Sequence, residues 1–143
     1  MSSILFLCTG NSCRSQMAEA WARAICSGGW QVYSAGLEKH GLNPSMLKVM
    51  EEVGVDMTGH YSKTIEELPC DVDWDVVVTV CDHAAQSCPY LPAKKVLHIP
   101  FADPPCEAKN LPEHEALEVY RRVRDEIRAA VGQLINPFNS DVR

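Results

Sequence analysis

Apolar positions along the chain follow two periods, and the places where one gives way to the other outline an alternation of strands and helices. Residues 3–7 (Ser-Ile-Leu-Phe-Leu) form a short apolar run of the kind that fills a buried strand. It ends in Cys8-Thr9-Gly10-Asn11-Ser12-Cys13-Arg14-Ser15. A helical period follows from 15 to 27, with Met17, Ala18, Trp21, Ala24 and Ile25 on one face and Gly28-Gly29 as the stop. Residues 30–34 alternate like a second strand. Pro44 opens a second helix, with Met46, Leu47, Val49, Met50 and Val53 periodic and Gly54 beyond them. A short helical turn is expected near 65–68. The β-branched run 75–80 reads as a central strand, and 95–99 as a fourth. A proline-rich loop from Pro100 to Pro105 precedes a last helix, 112–135, with Leu117, Tyr120, Val123, Ile127, Val131 and Leu134 at helical spacing.

Strands alternating with helices predict an α/β fold with a parallel sheet and right-handed crossovers. The 143 residues contain no repeat or low-complexity tract, and 1–143 is expected to form one domain. In such sheets ligands sit beyond the carboxyl ends of strands. Cys8 and Cys81 both fall at such ends.

Composition narrows the function. The hydrophobic fraction is 46% and the charged fraction 22%, as in a globular protein that needs no membrane. The run Ile4-Leu5-Phe6-Leu7 is too short for a signal segment or a span, so a cytoplasmic location is expected. A formal net charge of −6 argues against nucleic acid as a partner. An anionic substrate would need a local cluster of donors. Seven cysteines cannot all pair, and no CxxC or HxxxH spacing suggests zinc, so no metal or cofactor is expected. Reactive thiols remain.

The segment from Cys8 to Arg14 is C-x5-R between a strand and a helix. Gly10 and Asn11 tolerate positive φ and let the loop curl. Curling turns the backbone N–H groups of Thr9, Gly10, Asn11, Ser12, Cys13, Arg14 and Ser15 toward a common centre, an anion nest. The helix N-terminus adds positive potential, and Arg14 can grip two oxyanion oxygens with its fork. The same field stabilises a Cys8 thiolate, which is what a thiol nucleophile needs near neutral pH. Ser15 supplies a further donor to that thiolate. No Gly-Lys-Ser/Thr follows, so this is not a nucleotide-hydrolysing loop.

Cys-Thr-Gly-Asn-Ser-Cys-Arg-Ser resembles the signature of low-molecular-weight tyrosine phosphatases and of the thioredoxin-coupled arsenate reductases built on the same fold. Ser34-Ala35-Gly36, the Asp103-Pro104 pair and the helix beginning near Glu113 extend the likeness over nearly the whole chain. The resemblance implies a flavodoxin-like four-stranded parallel sheet flanked by helices. A phosphatase needs Cys8, the cradle with Arg14, and Asp103 as the acid that protonates a leaving oxygen. A reductase needs two electrons as well, which two thiols supply by forming a disulfide. The segment holding Cys81 and Cys88, seven residues apart before Pro89, resembles the redox segment of the reductases. After Asp103 comes Pro104-Pro105-Cys106, with no aromatic ring to flank a substrate tyrosine.

The expectation is therefore a monomeric arsenate reductase with a Cys8–Cys81–Cys88 disulfide relay regenerated by thioredoxin. A low-molecular-weight protein tyrosine phosphatase is the alternative, and a non-catalytic anion-binding or redox-sensing module the third reading. Cys13 is expected to pack; Cys26, Cys70 and Cys106 carry no motif. Some such reductases bind a potassium ion beside the loop. Asn11, Glu19 and Ser34 match that site, but Lys63 stands where the resemblance expects a carboxylate; two readings stay open, an ammonium that takes the ion's place near Glu19 and a solvated surface lysine.

Overall fold

The computed structural model describes residues 2–26, 29–69, 71–81 and 93–135. Four parallel strands form its centre: β1 (Ser2–Cys8), β2 (Trp30–Gly36), β3 (Trp74–Thr79) and β4 (Ala93–His98). Their order is β2-β1-β3-β4. The flavodoxin-like sheet expected from the sequence is thus observed. β1 lies between two neighbours, with Leu7 in register with Ala35 on one side and Thr79 on the other. This central place explains its unbroken apolar run. Ile4, Leu5, Phe6 and Leu7 are all buried, because a parallel strand covered on both faces has no solvent side.

Helices α1 (Arg14–Ile25), α2 (Pro44–Glu52), α3 (Pro104–Glu107) and α4 (Glu113–Ile135) flank the sheet. α1 packs on α4, where Trp21 Nε1 donates to the carbonyl of Arg124 at 3.1 Å. Arg124 also reaches α2, donating from Nη1 to the carbonyl of Val49 at 2.9 Å. α2 starts where its cap dictates: the Asn43 side chain accepts from the backbone N–H groups of Ser45 and Met46, and Pro44 takes the first turn. Val53, expected on that helix, caps it instead and is exposed.

The short turn near 65 is a 3-10 helix, Ile65–Glu67, closed by a capping box between Thr64 and Glu67. The proline-rich stretch is not all loop. Pro104 and Pro105 have φ preset for a first helical turn, so α3 forms there and Asp103 sits at its N-cap. The strand ends carry the functional loops. β1 runs one residue further than its apolar stretch, so Cys8 is its last residue. Beyond β3, Val80 donates to the carbonyl of Leu7 at 2.9 Å, and Phe101 donates to that of Val80 at 3.1 Å. These bonds bring residues 8, 81 and 101 to one edge of the sheet. The segment holding Cys88 and Pro89 lies outside the described residues, as does Cys70.

Candidate active site

The loop from Cys8 to Ser15 curls as its composition predicts, by a route that differs in one detail. Asn11 takes the left-handed conformation, φ 49°, and Gly10 does not. Asn11 is fully buried and its side chain tolerates that region because it bonds locally. Its Nδ2 donates to Ser15 Oγ at 2.8 Å and to Ser34 Oγ at 3.0 Å. Its Oδ1 accepts from Gln16 Nε2 at 2.9 Å and from the backbone N–H of Lys63 at 2.9 Å. Four hydrogen bonds on one side chain make Asn11 the pivot of the loop.

The outward side of the loop is held by the chain that follows β2. The carbonyl of Thr9 accepts from Leu37 and Glu38, at 2.9 and 3.0 Å. The carbonyl of Gly10 accepts from the His40 N–H at 3.1 Å and from Ser62 Oγ at 2.9 Å. The carbonyl of Ser12 accepts from Asn43 at 3.0 Å. These bonds tie three successive parts of the loop to the chain that follows β2 and to Ser62. Gly36 makes the clasp fit. A Cβ there would lie 2.7 Å from the carbonyl oxygens of Thr9 and Glu38 and 2.8 Å from the amide nitrogen of Asn11.

Cys8 is buried at the base of a cleft of about 490 Å³ lined by Thr9, Gly10, Arg14, His40, Asp103 and Pro105 among others. A hydrogen bond from Cys81 holds its thiol well below the usual range. Burial opposes this; the Ser15 hydroxyl and backbone N–H and the Arg14 charge reinforce it. Cys81 is itself buried, with its sulfur 3.4 Å from Thr9 Oγ1. Cys13 shares the loop but not the field: burial, with the Cys8 charge behind it, pushes its thiol up. It packs in the core, as the sequence suggests. Arg14 is anchored through Nη1 to the carbonyl of Phe101 at 3.1 Å, and its Nη2 lies 3.6 Å from Asp103 Oδ1. Asp103 is half exposed and lines the same cleft.

Behind the loop lies a buried polar cluster. Ser34 donates to Glu19 Oε1 at 2.5 Å, Arg23 Nε donates to Oε2 at 2.9 Å, and the Lys63 ammonium lies 3.6 Å from Oε1. Lys63 also donates to the carbonyl of Tyr61 at 3.2 Å and sits 4.7 Å from its ring centroid. Burial lowers the Lys63 pKa, and Glu19 only partly offsets it. Asn11, Glu19, Ser34 and Lys63, read together from the sequence, therefore meet in one place. Sequence reasoning missed Gln16 and His60. Gln16 Nε2 bonds Asn11 and the carbonyl of Tyr61, and its Oε1 lies 3.0 Å from His60 Nδ1. The sequence shows only a glutamine in the first turn of a helix; its burial comes from the structure.

Cys8, Arg14, Cys81 and Asp103 thus converge, while Cys88 falls outside the described residues. Cys26 is partly exposed at the end of α1, and Cys106 is exposed on α3. The fold and the loop define a class, an α/β protein with a cysteine at the start of a curled strand-to-helix loop at the carboxyl edge of its sheet. The sequence pattern of the low molecular weight phosphotyrosine protein phosphatases matches residues 3–143, and the chain belongs to that family. It is 50% identical over 125 residues to an arsenate reductase of Halalkalibacterium halodurans, covering 87% of this chain and 88% of that protein. Among solved structures it resembles an arsenate reductase in the phosphate binding state, with TM-score 0.75 and 35% identity over 94% of this chain and 97% of that one. It also resembles a low molecular weight protein tyrosine phosphatase from T. tengcongensis, with TM-score 0.74 and 25% identity over 96% of this chain and 99% of the other.

Proposed function

We propose that this protein is a cytoplasmic, monomeric arsenate reductase that uses no metal or cofactor and is regenerated by thioredoxin. The observation that carries this reading is the second thiol: Cys81 is buried against Cys8 and hydrogen-bonded to it. A phosphatase needs one thiolate in the cradle; a reductase needs a second sulfur within reach of the first. The 50% identity to an arsenate reductase supports the same choice.

The steps follow from the groups present. The N–H groups of Thr9, Gly10, Asn11, Ser12, Cys13, Arg14 and Ser15 hold the arsenate oxygens, with the Arg14 fork across two of them. The Cys8 thiolate attacks arsenic, and one oxygen leaves as water after Asp103 supplies a proton. Cys81 then attacks the Cys8 sulfur. An S–S bond forms, the S–As pair passes to arsenic, and arsenite departs reduced by two electrons. Cys88 attacks Cys81, releases Cys8 as a thiol and leaves Cys81–Cys88 for the dithiol of thioredoxin to reduce. Behind the loop, Lys63 acts as a built-in cation that neutralises Glu19 and so steadies Ser34 and Asn11.

The test is arsenate consumption by the purified protein with thioredoxin and its reductase, against a control without thioredoxin and against an aryl phosphate. Thioredoxin-dependent arsenite formation with little aryl phosphate turnover supports the proposal. The reverse pattern returns the protein to the phosphatase reading, for which Cys8, Arg14 and Asp103 alone suffice.

A further inference from the structure

Gly10 is expected, as a loop glycine, to take a left-handed conformation, and it does not. Its missing side chain serves another purpose. A methyl group on Gly10 would lie 2.3 Å from His40 Nδ1, 2.7 Å from Cγ and 3.0 Å from Cε1. The edge of the imidazole therefore rests where that methyl would be. The ring is fixed at its other side, where Nε2 lies 2.7 Å from Glu38 Oε2 and donates to that carboxylate. The backbone of the same residue donates to the Gly10 carbonyl at 3.1 Å. His40 thus grips one residue of the loop twice, through its main chain and its ring.

The ring is half exposed, so core packing does not explain it. It lines the same cleft as Cys8, Arg14 and Asp103. A cradle works only if its N–H groups converge, and a peptide unit free to rotate weakens both anion binding and the thiolate field. Gly10 has more backbone freedom than any other residue in the loop. The ring occupies the space through which that peptide would otherwise turn.

We propose that His40, oriented by Glu38, is a positioning residue that latches the Gly10 peptide and so keeps the oxyanion cradle closed around its substrate. It acts through the loop and exchanges no proton with the substrate. The inference rests on the reading of this cleft as an oxyanion site, and its main readouts need no turnover.

The experiment measures the rate of Cys8 alkylation by iodoacetamide across pH, with and without inorganic phosphate as the occupant. Wild type, His40→Ala, Glu38→Ala and Glu38→Gln are compared, with circular dichroism to confirm folding. In His40→Ala the midpoint of alkylation moves up by about one pH unit, and phosphate protection requires about tenfold more phosphate. Glu38→Gln keeps a hydrogen bond to the ring and stays near wild type, whereas Glu38→Ala shows a smaller version of the His40→Ala defect. In turnover, KM for arsenate rises about tenfold while kcat changes by less than about threefold. A second arm covers the chance that His40→Ala fails to fold: Gly10→Ala, which crowds the ring, should impair phosphate protection at least as much. An unshifted midpoint with unchanged phosphate protection in folded His40→Ala overturns the latch. If wild type binds phosphate at Cys8 yet reduces no arsenate, the proposed activity fails while the latch is still measured by alkylation.

Discussion

Replacing Lys63 by aspartate tests the built-in cation most directly. In the wild type the Lys63 ammonium lies 3.6 Å from Glu19 Oε1, and both side chains are almost fully buried. At an effective dielectric near 20 the gross attraction across that distance is about 5 kcal/mol. That attraction does not appear as net stability, because taking the ammonium out of water more than offsets it, as the lowered Lys63 pKa records. Lys63→Asp removes the attraction and sets a second carboxylate beside Glu19, whose remaining cationic neighbour on the same helix is Arg23 at 2.9 Å. Without a replacement cation the variant is expected to lose about 3–5 kcal/mol, the range for an uncompensated buried charge. A potassium ion bound between the carboxylates would return about 2.7 kcal/mol at a concentration one hundred times its Kd. The assay is urea unfolding in potassium chloride and in tetramethylammonium chloride at equal ionic strength, with arsenate reduction rates alongside. Wild type should not distinguish the two salts; Lys63→Asp should be more stable and more active in potassium. The pH dependence has a definite sign. A lysine with a lowered folded pKa destabilises the native state below that pKa, and the penalty fades as pH climbs toward the unfolded value of 10.5. Wild type should therefore gain stability over that window from this group, and Lys63→Asp should lack the gain. Specific potassium stabilisation of the wild type, or indifference of Lys63→Asp to potassium, would refute the reasoning.

Other expectations follow from the cleft. Cys8→Ser should abolish arsenate turnover yet bind phosphate within about threefold of wild type by calorimetry, because the nest is mostly backbone; retained turnover would end the thiol mechanism. Cys88→Ser should release about one arsenite per protein and then stall, and peptide mapping should find a Cys8–Cys81 disulfide; sustained thioredoxin-driven turnover would make Cys88 dispensable. Cys81→Ala should raise the pH midpoint of Cys8 alkylation, because the Cys81 hydrogen bond is the largest of the effects that lower it, and Cys81→Ser should restore part of the shift. The depressed Cys8 pKa also stabilises the native state increasingly as pH rises from the folded value toward the ordinary thiol range. Gly36→Ala should destabilise the fold by about 2 kcal/mol or more, since all three crowded atoms are backbone and cannot swing aside; a melting temperature equal to wild type would contradict the packing.

Local pattern was enough for much of this molecule. The apolar run before Cys8, the helical period after it and the β-branched stretch before Cys81 report burial and backbone preference residue by residue, and they outline the parallel sheet. Cys8, Arg14 and the curl at Asn11 are legible for the same reason, because a strand–loop–helix with that spacing has few ways to fold. Caps and prolines are legible only in part: Pro44 marks the start of α2, whereas Pro104-Pro105 lies in a proline-rich stretch whose composition reads as loop although the two residues start a helix. The contacts that make the site chemical were decided by tertiary structure. Cys81 reaches Cys8 because β3 pairs with β1 in the register that aligns Leu7 with Thr79, and no local period encodes that register. Gly10 reads as a turn glycine until the chain following β2 folds back and lays His40 on it. Gln16 and His60 read as a helix residue and a surface residue until the chain near residue 60 closes over the loop and buries them with Glu19. Pattern along a chain records which side of an element meets water; which side chains meet each other depends on pairing and packing between segments distant in sequence.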